Sequence, residues 1–296
     1  MMFTIKMFTI NKYKTDCQFV LLPNYRRLFR GRIKKDFIEQ QEATMQHKLN
    51  FGKVLRRPYY TVWRLLEHFA YRGREYTLQV PSGHLVYTPW FARDSEFAGF
   101  INKVESAGPL IVSLDRCYMI YQFCKYSLSV EGDMVECGAY SGGTAHLIAC
   151  IIQSAGISDK YLHLFDTFQG MPAIAVPERD AHAPGDFGDT SLEYVQERLK
   201  EYPFVRFHAG LMPNTFSEIA HIEAFSFVHD VDIYPTAFEC CKWFWPRLSR
   251  GGIMLFDDYG FWSYRRAIRA AVDEFFLSQQ VKPIVLPTAQ AIVIKP

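Results

Sequence analysis

A chain of 296 residues that is 49% hydrophobic can bury one sizeable α/β core with an appendage. Its 33 lysines and arginines against 31 aspartates and glutamates leave a formal charge of +2, which excludes a generally basic nucleic-acid-binding surface. No stretch approaches the roughly 20 apolar residues of a membrane span, and the opening MMFTIKMFTINKYK lacks the apolar run and small-residue cleavage site of a secretory signal. The seven cysteines, at 17, 117, 124, 137, 150, 240 and 241, show no CxxC pair and no disulfide-framework spacing. Reduced, mostly buried thiols in a cytoplasmic protein are the expectation.

Residues 1 to about 90 are rich in aromatic and basic side chains but show no clear strand or helix alternation, so they read as a partly helical extension. Within it, Arg26, Arg27, Arg30, Arg32, Lys34 and Lys35 form a basic cluster that suits a solvated face or contact with an anionic surface. Between 91 and 129, apolar positions at Phe97, Phe100 and Ile101, then at Cys117, Met119, Ile120, Phe123 and Cys124, predict two amphipathic helices. The division expected is an extension over 1–110 and a catalytic domain over 111–296.

From about 130, short apolar strands alternate with helical stretches, the pattern of a parallel sheet with crossover helices. Strands are predicted at 133–137, 161–165, 205–208, 225–229, 252–256, 283–286 and 291–294. Thr190-Ser-Leu-Glu193 reads as a capping box opening a helix through Tyr202, Pro235 suits the first turn of a helix through Trp245, and a third helix is predicted over Tyr264 to Leu277. The connection around Pro287-Thr-Ala-Gln290 is too short for a crossover, so the last two strands should pair antiparallel. The fold class predicted is a Rossmann-like, mostly parallel seven-stranded sheet ending in an antiparallel hairpin.

The segment Asp133-Met-Val-Glu-Cys-Gly-Ala-Tyr-Ser-Gly-Gly-Thr places a carboxylate at a strand end, then glycines, then a helix. A dinucleotide site would carry GxGxxG and a pyrophosphate at the helix start. Here the pattern is ExGxxxGG, and Glu136 would repel a pyrophosphate while suiting a cationic sulfonium amino acid. At the end of the next strand, Asp166 can accept both hydroxyls of a ribose. The candidate cofactor residues are Glu136, Gly138, Tyr140, Ser141, Gly142, Gly143, Asp166 and Thr167.

His229-Asp-Val-Asp232 ends the fourth predicted strand and Asp257-Asp258 the fifth, which would bring Asp230, Asp257 and Asp258 to the same crevice. Three close carboxylates need compensation, and a hard cation, Mg²⁺ or Ca²⁺, supplies it. Such an ion would lower the pKa of a bound hydroxyl, with Asp230 as first choice for the base that takes its proton and His229 as its rival. Asp232, Asp257 and Asp258 could instead serve as helix caps.

In this order, GDMVECGAYSGGTA, LFDTFQGMP, VHDVDIYPTA, WPRLSRGG and LFDDYG resemble the macrocin O-methyltransferase family over about residues 110 to 262. The resemblance implies a class I methyltransferase fold, S-adenosylmethionine as donor, and Mg²⁺-assisted transfer to a hydroxyl of a small-molecule acceptor in natural-product biosynthesis. It places the metal ligands on Asp230, Asp257 and Asp258, with Asp230 as base. One departure is that His229 abuts Asp230, where the family often has an apolar residue between. Both an ungapped match and a one-residue deletion that changes which side chains face inward fit this. A homo-oligomer is compatible with the sequence. Two rival functions are a non-catalytic S-adenosylmethionine-binding module acting through a protein partner, and a nicotinamide oxidoreductase. The loop from Met171 to Asp189 reads as a lid or as an exposed linker.

Overall fold

The computed structural model describes residues 94–173, 179–229 and 232–296, all within one compact unit. The basic cluster from Arg26 to Lys35, Cys17, and Asp230 lie outside the described residues. Two helices, α1 (Ser95–Ser106) and α2 (Leu114–Ser127), lead into β1 (Asp133–Cys137), α3 (Gly143–Ser154), β2 (Leu162–Asp166), α4 (Leu192–Leu199) and β3 (Val205–Ala209). A 3₁₀ turn at Asn214–Ile219 precedes β4 (Phe225–His229), α5 (Tyr234–Arg247) and β5 (Leu248–Phe256). A second 3₁₀ turn at Trp262–Tyr264 is followed by α6 (Ile268–Leu277), β6 (Ile284–Val285) and β7 (Ala291–Ile294). The strands form one sheet in the order β3-β2-β1-β4-β5-β7-β6. Its first five members are parallel, and β7 runs antiparallel to both β5 and β6, as the short Pro287–Gln290 connection requires.

The two-residue period of the strands divides the core into two layers. Met134, Leu162, Leu164, Phe227, Ile253 and Leu255 face α1, α2 and α3. Val135, Phe165, Phe225, Val228, Met254 and Phe256 face α5 and α6. The first ten residues of α3 are buried, so it is apolar all round rather than amphipathic, as expected of a helix enclosed between the sheet and two covering helices.

Three expectations shift. The strand predicted from Gly252 begins at Leu248, because Gly251 at φ +79° carries the chain through an irregularity in the pairing with β4 that reads as a turn in sequence. The capping box moves one residue. Ser191, not Thr190, caps α4 by accepting from the Tyr194 amide, and Thr190 donates to the Tyr140 carbonyl. The helix predicted from Tyr264 begins at Ile268, after Ala267 departs from helical angles; Arg265 and Arg266 stand where positive charge opposes a helix start.

Candidate functional site

The carboxyl ends of the parallel strands open on a cleft lined by Gly138, Tyr140, Asp166, Thr167, the 170–172 turn, Phe187, Leu211, Met212, Asp232, Ile233 and Thr236. Asp166 organises it. One carboxylate oxygen accepts from the Tyr140 amide at 2.8 Å and the other from the Phe168 amide at 2.7 Å. Both donors sit at positive φ, +46° for Tyr140 and +52° for Phe168. Such a conformation costs a non-glycine residue on the order of 1–3 kcal/mol. The two charge-assisted bonds offset that cost, so a single side chain shapes both loops of the cleft. Burial raises the Asp166 pKa, with the amides pulling against it.

The remaining members of the predicted loop divide by role. Gly138 lines the cleft, and its amide extends the β1–β2 ladder to the Phe165 carbonyl at 2.7 Å. Gly142 at φ +75° forms the N-cap of α3, where a Cβ would lie 2.9 Å from Val195. Gly143 faces Pro109 and Leu110. These two glycines therefore permit close packing behind the cleft. Ser141 is buried beside them. Its carbonyl is held at 2.8 Å by Arg198, whose guanidinium also donates to the carbonyls of Val104 and Pro109. Thr167 donates to the Gly170 carbonyl at 2.7 Å.

The described part of the 171–189 loop folds back across the cleft. Met171 and Gly185 exchange backbone bonds with Asp186 and Met171. Tyr140 donates to Asp189 at 2.9 Å, and Phe187 packs edge-on against the Tyr140 ring. Asp180 accepts from the Tyr234 amide at 2.7 Å, providing α5 with a cap from a distant loop while its own N-cap, Ile233, has none to offer.

On the far side of β1 lies the acidic group. Glu136 is fully buried, and register pairs it with His229 across β1 and β4, both on the face covered by α2. Glu136 Oε1 lies 3.2 Å from His229 Nδ1, and Asp257 Oδ1 lies 3.9 Å from His229 Nε2. Burial opposes the charged imidazolium. The two flanking carboxylates outweigh it and raise the His229 pKa to about 10. Glu136 Oε2 is buried without a hydrogen-bond partner. Asp257 and Asp258 both contact one nitrogen of Arg116, and Gln290 donates to Asp257 at 2.6 Å. Burial and the neighbouring Asp232 push the Asp258 pKa well up. Among the described residues, no three His, Cys, Asp or Glu side chains are arranged as a ligand set for a metal. Neither Arg116 nor Arg198 stands out in sequence, since each acts across a long separation on partners that only the fold brings near.

The fold is that of known methyltransferases. It superposes on the O-methyltransferase NovP with a TM-score of 0.56 at 22% identity, covering 64% of this chain and 82% of that one. Against CalS11, a calicheamicin methyltransferase, the TM-score is 0.53 at 16% identity, over 67% and 92%. In sequence the chain is 27% identical over 167 residues to mycinamicin III 3''-O-methyltransferase of Micromonospora griseorubida, covering 52% of this chain and 66% of the relative. It is 25% identical over 141 residues to demethyldecarbamoylnovobiocin O-methyltransferase of Streptomyces niveus, covering 44% and 54%. The chain thus spans about two thirds of the first relative and about half of the second. The motifs at the ends of β1, β2, β4 and β5 all fall within residues 125–288, which match the Macrocin-O-methyltransferase (TylF) profile. With more than half of its length inside that profile and its sheet in the same fold, the chain belongs to the macrocin O-methyltransferase family.

Proposed function

We propose that this chain transfers a methyl group from S-adenosylmethionine to a hydroxyl of a small molecule, a sugar or another polyhydroxylated metabolite, in natural-product biosynthesis. The observation that carries the reading is Asp166. Its two oxygens are fixed by amides on opposite loops, and the carboxylate lines the cleft with acceptor capacity beyond those two bonds. That capacity suits the two hydroxyls of a ribose. Gly138 leaves the backbone open beside them, and Leu211, Met212 and Phe187 offer apolar walls to a base. Glu136 lies outside the cleft lining, fully buried with its Oε2 unpartnered; an orphaned buried oxygen costs about 1–3 kcal/mol, and the cationic end of the donor would satisfy it. The binding residues we propose are Glu136, Gly138, Tyr140, Asp166 and Thr167, with Ser141, Gly142 and Gly143 holding the loop that carries them.

S-adenosylmethionine held there would supply a methyl group already activated by its sulfonium to an in-line hydroxyl oxygen, the carbon–sulfur electron pair leaving with sulfur. The chain's task is then alignment and proton removal. We assign the base to Asp230, the residue that follows β4 in sequence. His229 is enclosed between Glu136 and Asp257, each of which it contacts, so we read it as a positioning residue. A magnesium ion on Asp230, Asp257 and Asp258 is what the family resemblance implies. The described side chains do not fit it, because Asp257 and Asp258 are both engaged by Arg116, and no step is routed through the ion. We propose a cytoplasmic enzyme whose catalytic domain, expected over 111–296, takes in α1 as well, because Phe97, Ile101 and Val104 join the same core. The chain's family match begins at residue 125, and no described helix is long and apolar enough to cross a membrane.

The test is transfer of label from methyl-labelled S-adenosylmethionine to glycosylated acceptors, with the product located by mass spectrometry. The expected product is an O-methyl ether that disappears when the acceptor hydroxyl is replaced by hydrogen. Methylation of a nitrogen or carbon, or undiminished labelling of the deoxy acceptor, would contradict it.

A further inference from the structure

The acidic end of the crevice already contains a cation. Arg116 is in the first turn of α2, on the sheet face that also carries Glu136, His229 and Asp257. A single guanidinium nitrogen contacts Asp257 and, at 2.8 Å, Asp258. Two further residues hold the contact in place. Gln290, fully buried on the turn into β7, donates to Asp257 at 2.6 Å and to the Arg116 carbonyl at 3.2 Å, tying the start of α2 to the acid. The Phe261 ring lies 5.0 Å from the guanidinium carbon. All three charged side chains are between 10% and 14% exposed, so water screens them little. The arrangement is also not the fork that arginine uses to hold one carboxylate. One nitrogen bridges two acids, which is how a point cation would sit between them.

We propose that Arg116 is a built-in counter-ion that competes with divalent cations for the Asp257–Asp258 pair, so that an ion enters this site only by displacing the guanidinium. Removing Arg116 leaves Asp258 without its cation and Asp257 with only the more distant His229, 3.9 Å away, so the pair becomes a stronger attractor for magnesium than in the native chain. Divalent affinity is thereby set by a residue on α2 that carries no metal-ligand atom.

The test is calorimetric titration of the full chain with magnesium chloride alone. Arg116→Gln is expected to bind magnesium at least tenfold more tightly than the native chain. The double variant Arg116→Gln/Asp258→Asn is expected to lose that gain, which locates it at the pair. Equal affinity in native chain and single variant, weaker binding in the variant, or a gain that survives in the double variant would each overturn the proposal. Should Arg116→Gln be unfolded without metal, magnesium is expected to restore the native circular dichroism spectrum, and failure to restore it counts against the proposal. Because no methyl donor or acceptor is present, the result stands whether or not the chain transfers methyl groups.

Discussion

At the ends of β1 and β2, one carboxylate, Asp166, receives two backbone amides and still faces open space. At the ends of β4 and β5, Asp257 is surrounded by protein partners, Arg116, Gln290 and His229. Both regions concentrate negative charge at strand ends, but the first is preorganised toward a ligand and the second is neutralised from within. The lesson is that carboxylates at a switch point say where a ligand site lies. Which of them remain free to bind depends on side chains arriving from helices far away in sequence.

This contrast makes unequal demands on stability. Asp257→Ala strips Arg116 and His229 of a shared buried partner, and breaking such a pair costs about 3–5 kcal/mol. Urea denaturation is expected to show a loss of that size. A loss below about 1 kcal/mol, the value typical of an exposed ion pair, would mean the acidic end is not internally neutralised. Next in size is Arg198→Met, which abandons the carbonyls of Val104, Pro109 and Ser141. Unmet buried acceptors predict destabilisation of about 2–4 kcal/mol by the same measurement. Faster amide exchange should appear in the loop preceding α3, because that loop is what Arg198 braces.

A third effect, confined to acid conditions, is a pH dependence behind the first region. His146, on the buried α3, has its pKa lowered to about 4, by burial first and by Arg198 second, and contacts the Tyr202 hydroxyl at 3.0 Å. The folded chain therefore keeps this ring neutral where the unfolded chain, near 6.5, takes up a proton. Stability from it is complete above pH 6.5 and is lost as pH falls from 6.5 toward 4. Thermal unfolding across that window should show a slope that flattens in His146→Gln, and an unchanged slope would show that the ring protonates freely in the fold.

Much of the framework is readable from local pattern. The strands at 133–137, 225–229 and 291–294 fall on the predicted residues because apolar runs bounded by turn signals leave little choice. The position of Asp166 at the end of β2, beside β1, and the antiparallel hairpin follow from order and connection length alone. What sequence does not carry is pairing across the fold. Arg116 reaches acids 141 and 142 residues away, Arg198 reaches carbonyls up to 94 residues away, and Asp180 caps α5 from a loop 54 residues before it. The positive φ of Tyr140 and Phe168 is equally silent, because neither residue type favours that region and the amide bonds to Asp166 form only in the fold.

The reading of the cleft stands or falls on Asp166. Calorimetric titration of the full chain with S-adenosylhomocysteine, and separately with NAD, compares the native protein with Asp166→Ala. Single-site binding of S-adenosylhomocysteine to the native chain, no heat with NAD, and a loss of affinity of about 100-fold in the variant are expected, since two lost hydrogen bonds of about 1.4 kcal/mol each give that factor. Equal binding by Asp166→Ala, or binding of NAD in place of S-adenosylhomocysteine, would contradict it.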